Sequence, residues 1–589
     1  MPNTKLDHHI LYRFFPFLAW FKGYEKSFLR VDLIAGLTVA VVLIPQAMAY
    51  AMLAGMPPVY GLYAAMVTPF IAALWGSLRL LATGPIAIMS LLVLTSLTPF
   101  AEPGSQEFIE LAFLLAFMVG ILYLGIGLFH LGQIMSFISH SAIKGFTSAA
   151  AIIIIAAQLP HFLGLTVSRH EYIFPMLLEL LRGLPNLHIL TFIVGAVAFI
   201  IIYCTKRYKP NFPAGLVALV LTSVAVVLFK LSGHGVALIG ETPKGLPSLH
   251  VPLMDFSTIS SLMGPAIVIA LVSFAETYSV GKAISAKTKQ RVDVDQEFIG
   301  QGLANLIGSF FQCYPVSGSF SRTAINYSAG AKTGISSVIS SLTVLLALLF
   351  LTPLLAYIPR ATLAALVISA VLLLFNPKEV FNIWKMNRHD GIVAATVFVL
   401  ALLTKPDYAL LIGVIISLML FLWKTMRPRI VRVTKDPELN MFLDADAHGK
   451  PSCPQILQLR SENAIYFANA EYTVKRILER LSMAQTSQAK FLLLDFQGVG
   501  FIDITGIDEL RTLQEEIKQK GIELALMGVH LPVKEVLKSS GMINELGPGN
   551  LIEYRGEAIT HLFQDIDHGY CKDVCPYQLF FECKTVKAP

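Results

Sequence analysis

Charge is what this sequence has least of. Only 14% of its 589 residues are Asp, Glu, Lys or Arg, against about 25% in a soluble domain. Hydrophobic residues make up 55%, and mean hydropathy is +0.65. An ordinary soluble protein is thereby excluded. The net charge of +6 is too mild to point to nucleic acid. Three catalytic signatures are missing: H-E-x-x-H, G-x-S-x-G and the Walker phosphate loop. Their absence argues against an intramembrane enzyme and against ATP-driven pumping by this chain alone. The opening "MPNTKLDHHILYRFFPFLAW" has no long apolar core and no small-residue cleavage site, so it does not read as a signal peptide. It is expected to lie along the membrane surface as a cytoplasmic N-terminal segment, 1–30.

What the chain does have is apolar runs. A span needs about 20 mostly apolar residues, and fourteen candidates can be laid out between residues 31 and 426. The third (80–98) and tenth (318–329) are broken or short. Fourteen spans put both termini on one side. That side carries Arg79, Lys144, Lys206, Arg207, Lys282, Lys287, Lys378, Lys385, Lys424 and Arg427, whereas Glu102, Glu107 and Glu110 fall opposite. Positive residues mark the cytoplasmic face. The expected location is the inner or plasma membrane, multi-pass, with both termini cytoplasmic.

After residue 426 the composition changes. A basic linker (427–436) leads to a soluble domain (437–566) in which strands alternate with helices, the pattern of a small α/β sheet. Strands are expected in "ILQLRS", "KFLLLDF" and "GIELALMGV". Helices are expected in "AEYTVKRILERLSMA", "ITGIDELRTLQEEIKQK" and "LPVKEVLKSSG". A tail (567–589) holds Cys571, Cys575 and Cys583 as C-x3-C-x7-C. Thiolates bind zinc or iron–sulfur clusters, but this spacing matches no strong motif and lacks a fourth ligand. Reduced cytosolic thiols, with no metal and no cofactor, are the expectation.

The two broken spans belong to a faint internal repeat. "ALWGSLRLLATGP" (73–85) resembles "NLIGSFFQCYPVS" (305–317). Each copy ends one span, crosses an irregular stretch and opens a short helix. With seven spans per half, the second copy starts with opposite orientation, the inverted-repeat plan of many secondary transporters.

"YPVSGSFSRTAINYSAGAKTG" (314–334) carries the chemistry. Pro315 and Gly318 interrupt regular structure, and Ser317 or Ser319 can cap the helix that follows. In the first half, "TGPIAIMSL" offers Thr83 as cap and Pro85 in the first turn. A helix start presents unpaired N–H groups and partial positive charge. Two such starts facing each other would cradle an anion. Arg322 would add a full charge and bidentate donors. The other readings are a structural cation paired with a carboxylate, or a side chain snorkelling to an interface.

Glu276 is the second ionisable group, in "VIALVSFAETYSVGKAIS". A carboxyl inside the membrane can carry a proton, and a proton moving with an anion offsets its charge. A salt bridge to Arg322 or Lys282 is the other reading. In "AVVLIPQAMAYAMLAGMPPVYGLYAA", Pro45 loosens the first helix. Gln46 and Tyr50 are four apart and share a face, which either lines the site or serves packing.

Together these stretches resemble the SulP anion transporters, over about residues 10–565. The resemblance implies fourteen spans as two inverted repeats of seven. A core domain (spans 1–4 and 8–11) would move against a gate domain (spans 5–7 and 12–14). It implies substrate contacts at Gln46, Tyr50, Pro85, Ile86, Ala87, Ser319, Ser321 and Arg322. It puts a proton- or sodium-coupling acid at Glu276, and it implies a homodimer. The tail resembles a STAS domain, shared with anti-sigma-factor antagonists. There a strand ends in Asp followed by a phosphorylatable Ser. Here "FIDITGIDEL" has Asp503, but Ile504 fills the phosphoacceptor position and Thr505 stands one residue on. Asp503 is therefore expected to cap the helix.

The expected function is proton-coupled symport of a small anion by alternating access, sulfate first, with bicarbonate or C4-dicarboxylates as alternatives. An uncoupled exchanger or channel is a rival without need of Glu276. A membrane-anchored regulator, whose tail meets a cytoplasmic protein partner, is a rival from another class.

Overall fold

The computed structural model describes residues 15–586 except 22–23, 133–138, 169, 171, 209–211, 241–244, 253–254, 373, 437–440 and 484–487. Most of the expected N-terminal segment lies outside the described residues. The chain divides into two compact units, Met1–Leu418 and Met419–Pro589.

In the first unit every apolar run carries a helix. Spans 1 to 7 are Lys26–Leu53, Pro58–Trp75, Ala87–Leu97, Gln106–Leu128, His140–Leu163, Ile189–Tyr208 and Ala214–Leu228. Spans 8 to 14 are Phe256–Thr288, Val294–Phe310, Phe320–Ser328, Ile335–Phe350, Arg360–Val371, Arg388–Leu403 and Pro406–Thr425. Spans 1, 2, 4, 5, 6, 8 and 14 are long and apolar enough to cross a membrane. Spans 3, 7, 11 and 12 are shorter apolar helices. Two further helices, Ile173–Gly183 and Pro377–Met386, lie between spans 5 and 6 and between spans 12 and 13.

The third element of each half is a strand followed by a helix. β1 (Thr83–Gly84) precedes span 3, and β2 (Ser317–Gly318) precedes span 10. The two strands pair antiparallel, Thr83 opposite Gly318 and Gly84 opposite Ser317. A stretch so short has no stable sheet partner of its own, so each half completes the other. Packing follows the same two-half logic. Span 9 packs on spans 2 and 4, and span 11 on spans 1 and 2. Spans 12 and 13 pack on span 5, and span 12 also on span 6. These are the core and gate groupings. Small residues let the helices close. A Cβ on Gly120 of span 4 would stand 2.5 Å from the Leu306 backbone nitrogen in span 9.

The second unit is built on a six-stranded sheet in the order β4-β3-β5-β6-β7-β8. The strands are β3 (Ile430–Asp436), β4 (Met441–Asp444), β5 (Ile456–Ser461), β6 (Phe491–Asp495), β7 (Glu523–Met527) and β8 (Leu551–Ile552). β5 to β8 run parallel, and β3 is antiparallel to both its neighbours. The basic linker expected at 427–436 is corrected here, because its residues 430–436 form β3. Ile430, Val431 and Val433 are buried in the sheet. The charges that suggested a linker are paired, Arg429 with Asp444 at 2.6 Å and Arg432 with Asp446. Helices α1 (Ala470–Met483), α2 (Ile504–Lys518), α3 (Leu531–Ser539) and α4 (Met542–Leu546) share one apolar core with the sheet. A second core, on Phe491, Leu493, Ala525 and Met527, is covered by α5 (Arg555–Leu562) and the tail helices α6 (His568–Asp573) and α7 (Phe581–Val586). Residues 491–493 and 525–527 supply alternate side chains to the two cores, as a sheet buried on both faces requires.

Candidate functional site

The β1–β2 pair sets the site. Ser319 N–H donates to Ala82 O at 2.9 Å, and Ala82 N–H donates to Thr323 Oγ1 at 3.0 Å. These bonds fix the starts of spans 3 and 10 beside one another. Span 3 begins at Ala87 with extended Ile86 at its N-cap and no side-chain cap, so its first-turn N–H groups need another acceptor. Span 10 begins at Phe320, where Ser319 Oγ accepts from Arg322 N–H at 3.4 Å. Ser319 is thus the cap among the two serines expected. Thr83 is not a cap. It lies in β1, where its Oγ1 accepts from Gln301 Nε2 at 2.8 Å. Pro85 precedes the helix rather than opening it, because β1 holds the backbone extended up to Gly84.

Arg322 is fully buried and is the largest fully buried side chain described. Its Nη1 donates to Pro85 O at 2.8 Å, across the two halves. Its Nε and Nη2 are buried and have no partner. A buried guanidinium with two idle donors is expensive unless something acidic visits it. No ion pair joins Arg322 to a carboxylate among the described residues, and burial removes the snorkelling reading. Gly84, at φ +143°, lies against the guanidinium, and a Cβ there would stand 3.2 Å from Nη2.

The other expected residues fall around this point. Span 1 packs against spans 3 and 10. From it come Tyr50, 5% exposed and within electrostatic reach of both Arg322 and Glu276, and Gln46, whose Oε1 is buried and unpartnered. Pro85, Ile86, Ala87 and Ser319 are buried. Ser321 is exposed, with its Oγ 3.4 Å from that of Ser319, and so lies at the rim. Glu276 is half-buried in span 8. It makes no ion pair with Arg322 or Lys282, and Lys282 stacks on the Tyr278 ring instead.

The matches to known proteins now bear on this geometry. Residues 29–397 match the sulfate permease family, and residues 445–558 match the STAS domain. The chain belongs to the sulfate permease family. Among the relatives of this permease-family chain is Sulfate transporter 4.1, chloroplastic, of Arabidopsis thaliana. It is 35% identical over 552 residues, covering 90% of this chain and 80% of that protein. Sulfate transporter 2.1 of the same plant is 33% identical over 589 residues, covering 95% and 87%. The murine Slc26a9 anion transporter in its inward-facing state has the same fold, with a TM-score of 0.86 at 22% identity over 96% of each chain. The transmembrane domain of a cyanobacterium bicarbonate transporter, BicA, aligns with TM-score 0.58 at 24% identity. That match covers 67% of this chain and 98% of the other.

Two acids that sequence reasoning passed over hold the permease-family scaffold around the site. Glu297 of span 9 accepts from Ser77 N–H at 2.9 Å, Ser77 Oγ at 3.1 Å, Leu78 N–H at 3.0 Å and Gln301 Nε2 at 3.1 Å. Asp32 of span 1 accepts from the N–H groups of Lys332 and Thr333 and from Thr333 Oγ1, at 2.7, 3.2 and 2.6 Å. "DVDQEFIG" looks like an ordinary acidic helix start, so nothing local marks Glu297. Its available signal was the Gly76-Ser77 pair of the repeat, after which the N–H groups of Ser77 and Leu78 need an acceptor.

In the STAS unit, Asp503 caps α2, its Oδ1 accepting from Gly506 N–H at 2.9 Å. Its Oδ2 accepts from Phe467 N–H at 2.8 Å. Thr505 and Ile504 are exposed on the first turn.

Proposed function

We propose that this chain is a secondary transporter of small oxyanions, sulfate first, working by alternating access in the cell membrane as a homodimer with both termini cytoplasmic. One observation carries the reading: Arg322 is wholly buried between two helix starts, with Nε and Nη2 idle. An oxyanion accepts from both. It also meets the uncapped first turn of span 3 and the hydroxyls of Ser319 and Ser321. Relatives named sulfate transporters support the substrate, and the core and gate groupings support the motion. Tyr50 and Gln46 would close the cradle from span 1. Glu276 would carry the coupled proton. It lies within reach of Tyr50, and it has neither an ion pair nor a hydrogen bond among the described residues. An acid used for scaffolding is saturated with hydrogen bonds, as Glu297 is.

The test is uptake of radiolabelled sulfate into proteoliposomes, with and without an inward proton gradient, with bicarbonate and fumarate as competitors. Gradient-driven sulfate uptake that disappears in Arg322→Ala supports the proposal. Uptake of a competitor alone replaces the substrate. Sulfate uptake intact in the variant removes Arg322 from the site.

A further inference from the structure

The tail cysteines are not a loose appendage. α6 and α7 fold back onto the sheet, and Cys571, Cys575 and Cys583 are 7%, 8% and 9% exposed. A fourth cysteine joins them. Cys453 precedes β5, far upstream in sequence, and with the other three it lines a single pocket walled by Phe563, Tyr577, Leu579 and Phe580. None of the four is in a disulfide. Sequence spacing gave three ligands and no fourth, and the fold supplies it.

The surroundings of these sulfurs are those of thiolate ligands. Backbone amides of Gln455 and Ile456 lie close to the Cys453 sulfur, and those of Phe580 and Leu579 close to that of Cys583. Gln455 Nε2 donates to Cys571 Sγ at 3.2 Å. That amide is itself fixed, donating to Asp567 O at 2.9 Å and accepting from Asp567 N–H at 2.8 Å. Hydrogen bonds to sulfur are the second layer of support that metal-bound thiolates require. As thiols these groups gain little from such donors. The Cys575 thiol donates to Tyr577 O at 3.7 Å, a weak contact that ligation would replace.

Spacing decides what the thiolates hold. A tetrahedral zinc at about 2.3 Å from each sulfur draws all four together. Among the described residues no three such donors converge closely enough to hold a single ion. An iron–sulfur cluster spreads four thiolates over two or four irons, so the four sulfurs stand farther apart around a larger body. The aromatic walls would keep water from it.

We propose that Cys453, Cys571, Cys575 and Cys583 ligate an iron–sulfur cluster that pins the C-terminal tail to the sheet. A preformed cluster enters by ligand exchange. As each sulfur–iron bond forms, the bond from that iron to a thiolate of the cluster's carrier breaks, the departing thiolate takes the proton of the incoming cysteine, and no electron is transferred.

Full-length protein purified anaerobically in detergent decides the matter by elemental analysis and visible absorbance. The expected result is iron and acid-labile sulfide in equal amounts, about two to four of each per chain, with a visible band bleached by dithionite. The double variant Cys571→Ser/Cys575→Ser should lose both iron and band. Cys204→Ser, exposed in the other unit, should keep them. Zinc in place of iron, or four alkylatable thiols with no metal in the wild-type protein, would overturn the proposal without reference to any variant.

Discussion

Glu297 and Arg322 are both buried charges held near the same two helix starts, and they are treated in opposite ways. Glu297 accepts four hydrogen bonds, and both its oxygens are used. Arg322 donates one and leaves two donor nitrogens idle. A fold that can satisfy one buried charge completely has no steric reason to leave another unsatisfied. The difference sets scaffold apart from proposed site: the saturated acid holds Ser77 and Leu78, and the unsaturated cation keeps donors open for the proposed anion. Exchanging the two effects by mutation is the sharpest way to break this comparison. Arg322→Met keeps length and removes charge, and it should cut sulfate transport by about 100-fold, since two charge-assisted bonds are lost. Its thermal stability in detergent should stay level or rise, because an apolar side chain replaces an unpaired buried charge. Glu297→Ala should behave the other way, costing about 2–4 kcal/mol as the Ser77 and Leu78 N–H groups are orphaned. A stability loss in Arg322→Met matching that of Glu297→Ala would make the arginine a structural residue.

Glu276 is the second unsaturated group, and it sharpens the comparison from the acidic side. Glu276→Gln removes the proposed proton carrier and keeps the shape. The gradient-driven component of uptake should vanish, while gradient-independent exchange of sulfate across the same liposomes persists. If the variant still accumulates sulfate when a proton gradient is imposed, the coupling acid lies elsewhere.

Gly84 tests the cradle at smaller amplitude. Its φ of +143° is unfavourable for any residue with a Cβ, and that atom would press on Arg322 Nη2. Gly84→Ala should weaken apparent sulfate affinity by about tenfold, the equivalent of 1–2 kcal/mol of backbone strain and displacement. Gly240→Ala carries similar strain at φ +84° with nothing near its Cβ. It should leave affinity alone. Equal effects in the two variants would show that strain, not contact with Arg322, is being read.

Most of this architecture was legible because membrane spans announce themselves locally, by hydropathy. The broken spans did too, through Pro85, Pro315 and the small residues around them. What escaped was non-local. Thr83 looked like a cap because its pairing with Gly318 joins opposite halves of the chain. β3 looked like a linker because Arg429 and Arg432 meet their acidic partners only in β4 and just beyond it. Cys453 carried no mark at all until the fold brought it to the tail cysteines. Arg322 could be placed in the cradle from sequence. That two of its nitrogens are idle could not, because partnership depends on every element that packs around it.

The smallest effect is expected in the STAS unit, where Asp503 gives the saturated case again. Its two oxygens serve one bond each, capping α2 and holding Phe467. Asp503→Ala should cost about 1–2 kcal/mol of that unit's stability. Sulfate affinity at the membrane site should not change. Thr505, exposed beside it, makes none of these bonds. Thr505→Glu places negative charge in the first turn of α2, where the helix dipole tolerates it. It should therefore leave both stability and uptake close to wild type. A change in uptake with no change in stability would show that this surface controls transport after all. Asp503 would then cease to be a mere cap, because the residue it positions would be a switch.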